Sequence, residues 1–114
     1  MPFRNLATLQ GWVDEFEQLG YRFDGRLKVV QQDGANGANT GLVLVTLSAP
    51  PTSLTIQPET RDAIRWAVTI EVRDAPVTLD PPEMQLFATN LSTISALCAF
   101  LQAKSLAHHR VDQA

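Results

Sequence analysis

The sequence predicts an α+β fold, a two-layer sandwich of order α-β-β-β-α with an antiparallel sheet of three or four strands and helices on one face. Three observations carry this. Apolar side chains recur at helical spacing near the N-terminus, runs between residues 26 and 73 alternate with period two, and residues 79–84 spell a helix start ahead of a long apolar stretch. The length of 114 residues suits one domain spanning 1–114, with about 108–114 expected as a frayed tail.

The first element is an amphipathic helix. Leu6, Leu9, Val13, Phe16 and Leu19 follow a three-four spacing with Trp12 on the flank, while Gln10, Asp14, Glu15, Glu17 and Gln18 are polar. Asn5 or Thr8 supplies the N-cap. Gly20 stands where a left-handed residue ends a helix. The acidic run reads as the solvated side of that helix.

Three strands follow: RLKVVQQ at 26–32, LVLVTLS at 42–48 and IRWAVTIEVR at 64–73. The third alternates most cleanly, with Ile64, Trp66, Val68, Ile70 and Val72 on one face. Between the second and third lies APPTSLTIQPETRDA, whose prolines interrupt pairing, with SLTIQ as a short edge strand. In LDPPEM, Asp80 is the N-cap, Pro81 the first helical residue and Glu83 the third, with Leu79 and Met84 placed as a hydrophobic staple. The last helix then runs from Pro81 to about Ala107.

The glycine-rich DGANGANTG at 33–41 fails as a phosphate loop. No Lys-Ser/Thr pair follows Gly41, the glycines fall as GxxGxxxG, and the next segment is a strand rather than a helix. It reads instead as a hairpin connection with a tight type I′ turn at Asn36-Gly37. That turn pairs Val29 with Leu44 and Val30 with Val43. The Leu27, Val29, Leu42 and Leu44 face then forms the core, and Val30, Val43, Val45 and Leu47 share the outer face with Arg26 and Lys28; a register one residue away exchanges the faces of the second strand and still leaves aliphatic residues outside.

Composition weakens several functional classes. A net charge of −3 and nine scattered basic residues give no footprint for nucleic acid. One cysteine, Cys98, allows no internal disulfide and fits a reducing, cytoplasmic setting, as does an N-terminus without a signal-peptide apolar run. Cys98 falls on the apolar stripe of the last helix and reads as core. His108 and His109 are adjacent, so they diverge on a helix, and no metal ligand set accompanies them. No catalytic residue, cofactor or metal site is expected, and no enzyme.

Two surfaces look uncovered. The second strand is apolar on both sides, and from Met84 through Ala103 twenty residues pass without a charge. Gln85, Thr89, Asn90, Ser92 and Gln102 make that helix too polar for a membrane span, and its back carries small residues. The expected interface is Val30, Val43, Val45 and Leu47 on the sheet, with Ala96, Ala99 and Ala103 on the helix. The expected function is a non-enzymatic interaction module, a small homodimeric adaptor or chaperone-like protein whose partner is itself or another protein. The alternative is a small-molecule-binding or catalytic domain with a pocket between helices and sheet, walled by Trp12 and Trp66.

Overall fold

A computed structural model describes residues 6–31, 41–48, 50–59, 65–71 and 74–113, with side chains for all of these except Gln31 and residues 108–113. The element order is α1 (Leu6–Glu17), β1 (Arg26–Gln31), β2 (Gly41–Ser48), β3 (Pro51–Pro58), β4 (Trp66–Ile70) and α2 (Pro81–Gln113). The fold is α+β as expected. The order is α-β-β-β-β-α, and the sheet is an antiparallel meander, β1-β2-β3-β4.

Helix α1 buries Leu9, Val13 and Phe16, the middle of the predicted stripe, whereas Leu6 and Leu19 stay exposed. Thr8 lies inside the helix and so is not its cap; Asn5 falls outside the described residues. The chain turns after Glu17, and Gly20 adopts a φ of 84°, the left-handed conformation glycine takes at little cost. Phe16 stacks on Tyr21 at 4.8 Å between centroids and meets Phe100 of α2 at 5.5 Å. Lys104 pairs with Glu15 at 2.9 Å across the same helix contact.

The sheet corrects the predicted register. Val29 faces Val43, Val30 faces Leu42 and Gln31 faces Gly41. The connection from 32 to 40, which lies outside the described residues, therefore holds an odd number of residues centred on Asn36. A two-residue turn at Asn36-Gly37 needs an even count and a register one residue away. That single step exchanges the faces of β2. Val43, Val45 and Leu47, expected on the outer face, lie in the core at 0–1% exposure, while Leu44 turns outward and is exposed; Leu42 shares that face beside Val30 but is itself buried. The cause is the partner on the other side of β2. Ser48 faces Pro51 across a two-residue connection, which sets Val43 opposite Ile56 and Val45 opposite Leu54. Burying Leu54 and Ile56 thus obliges β2 to turn Val43 and Val45 inward.

Strand β3 is a second correction. The segment read as broken is a central eight-residue strand that pairs with both β2 and β4. Its prolines stand at the first and last positions, where a missing N–H removes little of the ladder, and Thr52, Leu54 and Ile56 alternate inward between them.

The predicted cap of α2 is realised, with Pro81 as the first helical residue. The Asp80 N–H donates to Glu83 Oε1 and the Glu83 N–H donates to Asp80 Oδ1, both at 2.9 Å, forming a reciprocal capping box. The helix continues to Gln113, past the predicted end near Ala107. Both helices cover the same sheet face. Leu9, Val13 and Phe16 of α1 and Ile94, Leu97 and Leu101 of α2 meet Val43, Val45, Leu54 and Ile56 there. Each such side chain contributes about 1.5–3 kcal/mol by leaving water.

Candidate interaction surface

Helix α2 is fastened to the rest of the chain by polar side chains on its buried face. Asn90 Oδ1 accepts the Asp24 N–H at 2.9 Å, and the Thr93 hydroxyl donates to the Arg22 carbonyl. Together they clamp the connector between α1 and β1. Further along α2, Ser105 Oγ accepts the indole N–H of Trp66 at 2.7 Å, and Gln102 Oε1 accepts the Trp66 backbone N–H at 2.9 Å. Asn90, Thr93 and Ser105 are buried at 0–6% exposure, so these bonds satisfy groups that would otherwise oppose burial.

Between α2 and β4 the packing is incomplete. A groove of about 550 Å³ runs there, floored by Leu54, Ile94 and Trp66 and walled by Val68 and Ile70 of β4 and by Leu91, Ser95, Cys98 and Ala99 of α2. Ile70 remains 57% exposed although it lies on the core face of the sheet, opposite Leu54. Met84, two turns before Leu91 on the same side of α2, is 50% exposed. Burial pushes the Cys98 thiol up from its ordinary pKa, which favours the neutral, poorly nucleophilic form.

Backbone hydrogen bonds fix how the β4 edge is presented. The Glu59 N–H donates to the Arg65 carbonyl at 2.8 Å and the Glu71 N–H to the Ser53 carbonyl at 3.0 Å. Bonded pairs alternate along an antiparallel ladder, so residues 65, 67, 69 and 71 bond inward to β3. Trp66, Val68 and Ile70 consequently direct their N–H and C=O groups away from β3, across the outer edge. The Gln102 bond to the Trp66 N–H agrees with this phase and occupies the first of those groups.

The two edges of the sheet differ in character. Edge strand β1 carries exposed Arg26 and Lys28, the charges that commonly discourage edge pairing. Edge strand β4 reads WAVTI, with no charge and no proline.

No family model, curated protein or solved structure matches the chain. The surface must therefore be read from its own residues.

Of the residues expected at an interface, the structure brings only Ala99 to this groove. Ala103 is exposed on the neighbouring face of α2, and Ala96 is half-buried against the core. Val43, Val45 and Leu47 are core residues, as described above. Val30 is half-buried on the sheet face away from the helices, opposite Leu42. Trp66 does line the groove, whereas Trp12 packs against the core elsewhere. Sequence reasoning missed Val68, Ile70 and Gln102. The usable signal was the contrast between a charged β1 and an uncharged β4, which carries meaning only once β4 is known to be an edge. Among the described residues no group of three His, Cys, Asp or Glu side chains could hold a metal. The Pro81–Ala107 part of α2 is long and apolar enough to cross a membrane by length and composition. In this fold its most apolar side packs on the sheet.

Proposed function

We propose that the protein is a non-enzymatic interaction module, a small adaptor or chaperone-like protein that forms a homodimer through the α2–β4 surface. One observation carries the reading: an uncharged, proline-free strand edge lies directly beside an apolar groove and a helix face without charge from Met84 to Ala103. An unguarded edge of this kind invites uncontrolled pairing unless a strand covers it. The exposed Ile70, half-buried Leu91 and small Ser95 and Ala99 suit close packing against another polypeptide. The net charge of −3 favours protein over nucleic acid as the partner.

A second reading has the groove hold a small apolar molecule, and its volume supports that, since ligand pockets span roughly 300–1,000 Å³. Its polar groups count against it. Of the lining side chains, Gln102 already accepts the Trp66 backbone N–H through Oε1, which leaves chiefly the Ser95 hydroxyl, the Cys98 thiol and the Gln102 amide to orient a ligand.

Light scattering over a dilution series tests the proposal. The expected result is a dimer mass that falls toward the 12.5 kDa monomer on dilution. A monomer at every concentration, combined with a metabolite that stabilises the fold in thermal-shift screening, transfers the groove to the second reading.

A further inference from the structure

The geometry of β4 goes further than the choice of surface. Resting on the homodimer reading, we infer that the occupant of the edge is β4 of a second copy, paired antiparallel about a two-fold axis through Thr69. The four-stranded meander then becomes a continuous eight-stranded sheet.

The outer edge of β4 keeps only a few open bonding groups. Trp66, Val68 and Ile70 face outward, but the Trp66 N–H is held by Gln102. Val68 and Ile70 are left as a set two residues apart. An antiparallel partner offering the same set satisfies it when Val68 faces Ile70 of the second copy and Ile70 faces its Val68. Each such pair exchanges two hydrogen bonds, so four form without disturbing Gln102. An axis through Val68 instead sets Trp66 opposite Ile70 of the second copy and calls on the occupied N–H. Self-complementarity of this kind is what a two-fold interface requires, since the same patch serves both subunits.

The side chains agree with that axis. Val68 and Ile70 would stack against their counterparts on the groove side, covering the exposed Ile70. On the opposite face Thr69 would meet Thr69 in a pair without ladder bonds, and no like charges would oppose one another between Trp66 and Ile70. The two α2 helices would run beside each other over the join, where Ser95 and Ala99 are small enough for close approach.

A residue on a two-fold axis meets itself, and this supplies the test. Thr69 is exposed and turned away from the core, so Thr69→Lys and Thr69→Glu leave the monomer intact. Each variant alone places like charges opposite one another and is expected to weaken self-association by about two- to fivefold. Mixing the two variants is expected to restore a dimer containing one of each, read by sedimentation velocity and by native mass spectrometry. If the native protein is dimeric and both variants dimerise unchanged, or if mixing restores nothing, the β4 axis is overturned while the homodimer reading stands. A native protein that stays monomeric overturns that reading and the axis with it.

Discussion

Gln102 closes the first bonding position of an open strand edge: its Oε1 accepts the backbone N–H of Trp66 at 2.9 Å. Three residues later, Ser105 takes the indole N–H of the same tryptophan. One residue is thus held to α2 through both its backbone and its side chain. That double attachment ties the end of β4 to the helix, while Val68 and Ile70, beyond its reach, keep an open edge.

Substituting Ser105→Ala removes the oxygen that accepts the Trp66 indole. Because Ser105 is fully buried, water does not readily take its place. The expected loss is about 1–3 kcal/mol of unfolding free energy. Urea denaturation monitored by tryptophan fluorescence checks it, and a loss well under this range would show that the bond contributes little.

Asn90 and Thr93 act on the same short connector, one accepting from the Asp24 N–H and the other donating to the Arg22 carbonyl. Asn90→Ala and Thr93→Val should each destabilise the fold by about 1–3 kcal/mol. Once either clamp is gone the connector can shift, so the second substitution should cost less than it does alone. The expected coupling in a double-mutant cycle is about 0.5–1.5 kcal/mol. Simple additivity would mean that the two bonds hold the connector independently.

Cys98 lines the groove and its thiol is raised by burial. In the folded state the proton is held more tightly than in the unfolded chain. Its contribution to stability is therefore complete below the unfolded thiol pKa and is lost as pH rises through the folded one. Alkylation should be slow at neutral pH, with a midpoint more alkaline than that of a free thiol. It should also slow further as protein concentration rises, because a second copy covers the groove. A midpoint at or below that of a free thiol contradicts the buried environment.

Local signals in the sequence survived folding where they were self-contained. The Asp80–Glu83 capping box needs only residues three apart in the chain, and the left-handed Gly20 only the end of its own helix. The register of β2 needed more. Asn36-Gly37 suggested an even-numbered turn, but the face of β2 was decided by Leu54 and Ile56 across the sheet. Residues so far apart in the fold's logic leave no trace in a local pattern, and the face assigned to Val43, Val45 and Leu47 followed the wrong neighbour. Pro51 and Pro58 misled for a related reason, because a proline weakens a strand's interior but is tolerated at its ends. With β3 read as broken, β4 could not be recognised as an edge. The groove beside it was therefore invisible, although the charge-free stretch of α2 that forms one wall had been legible.

Amide hydrogen exchange at Val68 and Ile70, followed at high and low protein concentration, tests most directly whether a second copy covers the β4 edge. Both amides point out of the sheet, so in a monomer they should exchange quickly, unlike the amides of Ala67 and Thr69 that bond to β3. The account predicts strong protection at Val68 and Ile70 in concentrated protein, lost on dilution in step with the fall in mass. Fast exchange at both positions in a sample that is demonstrably dimeric would contradict it.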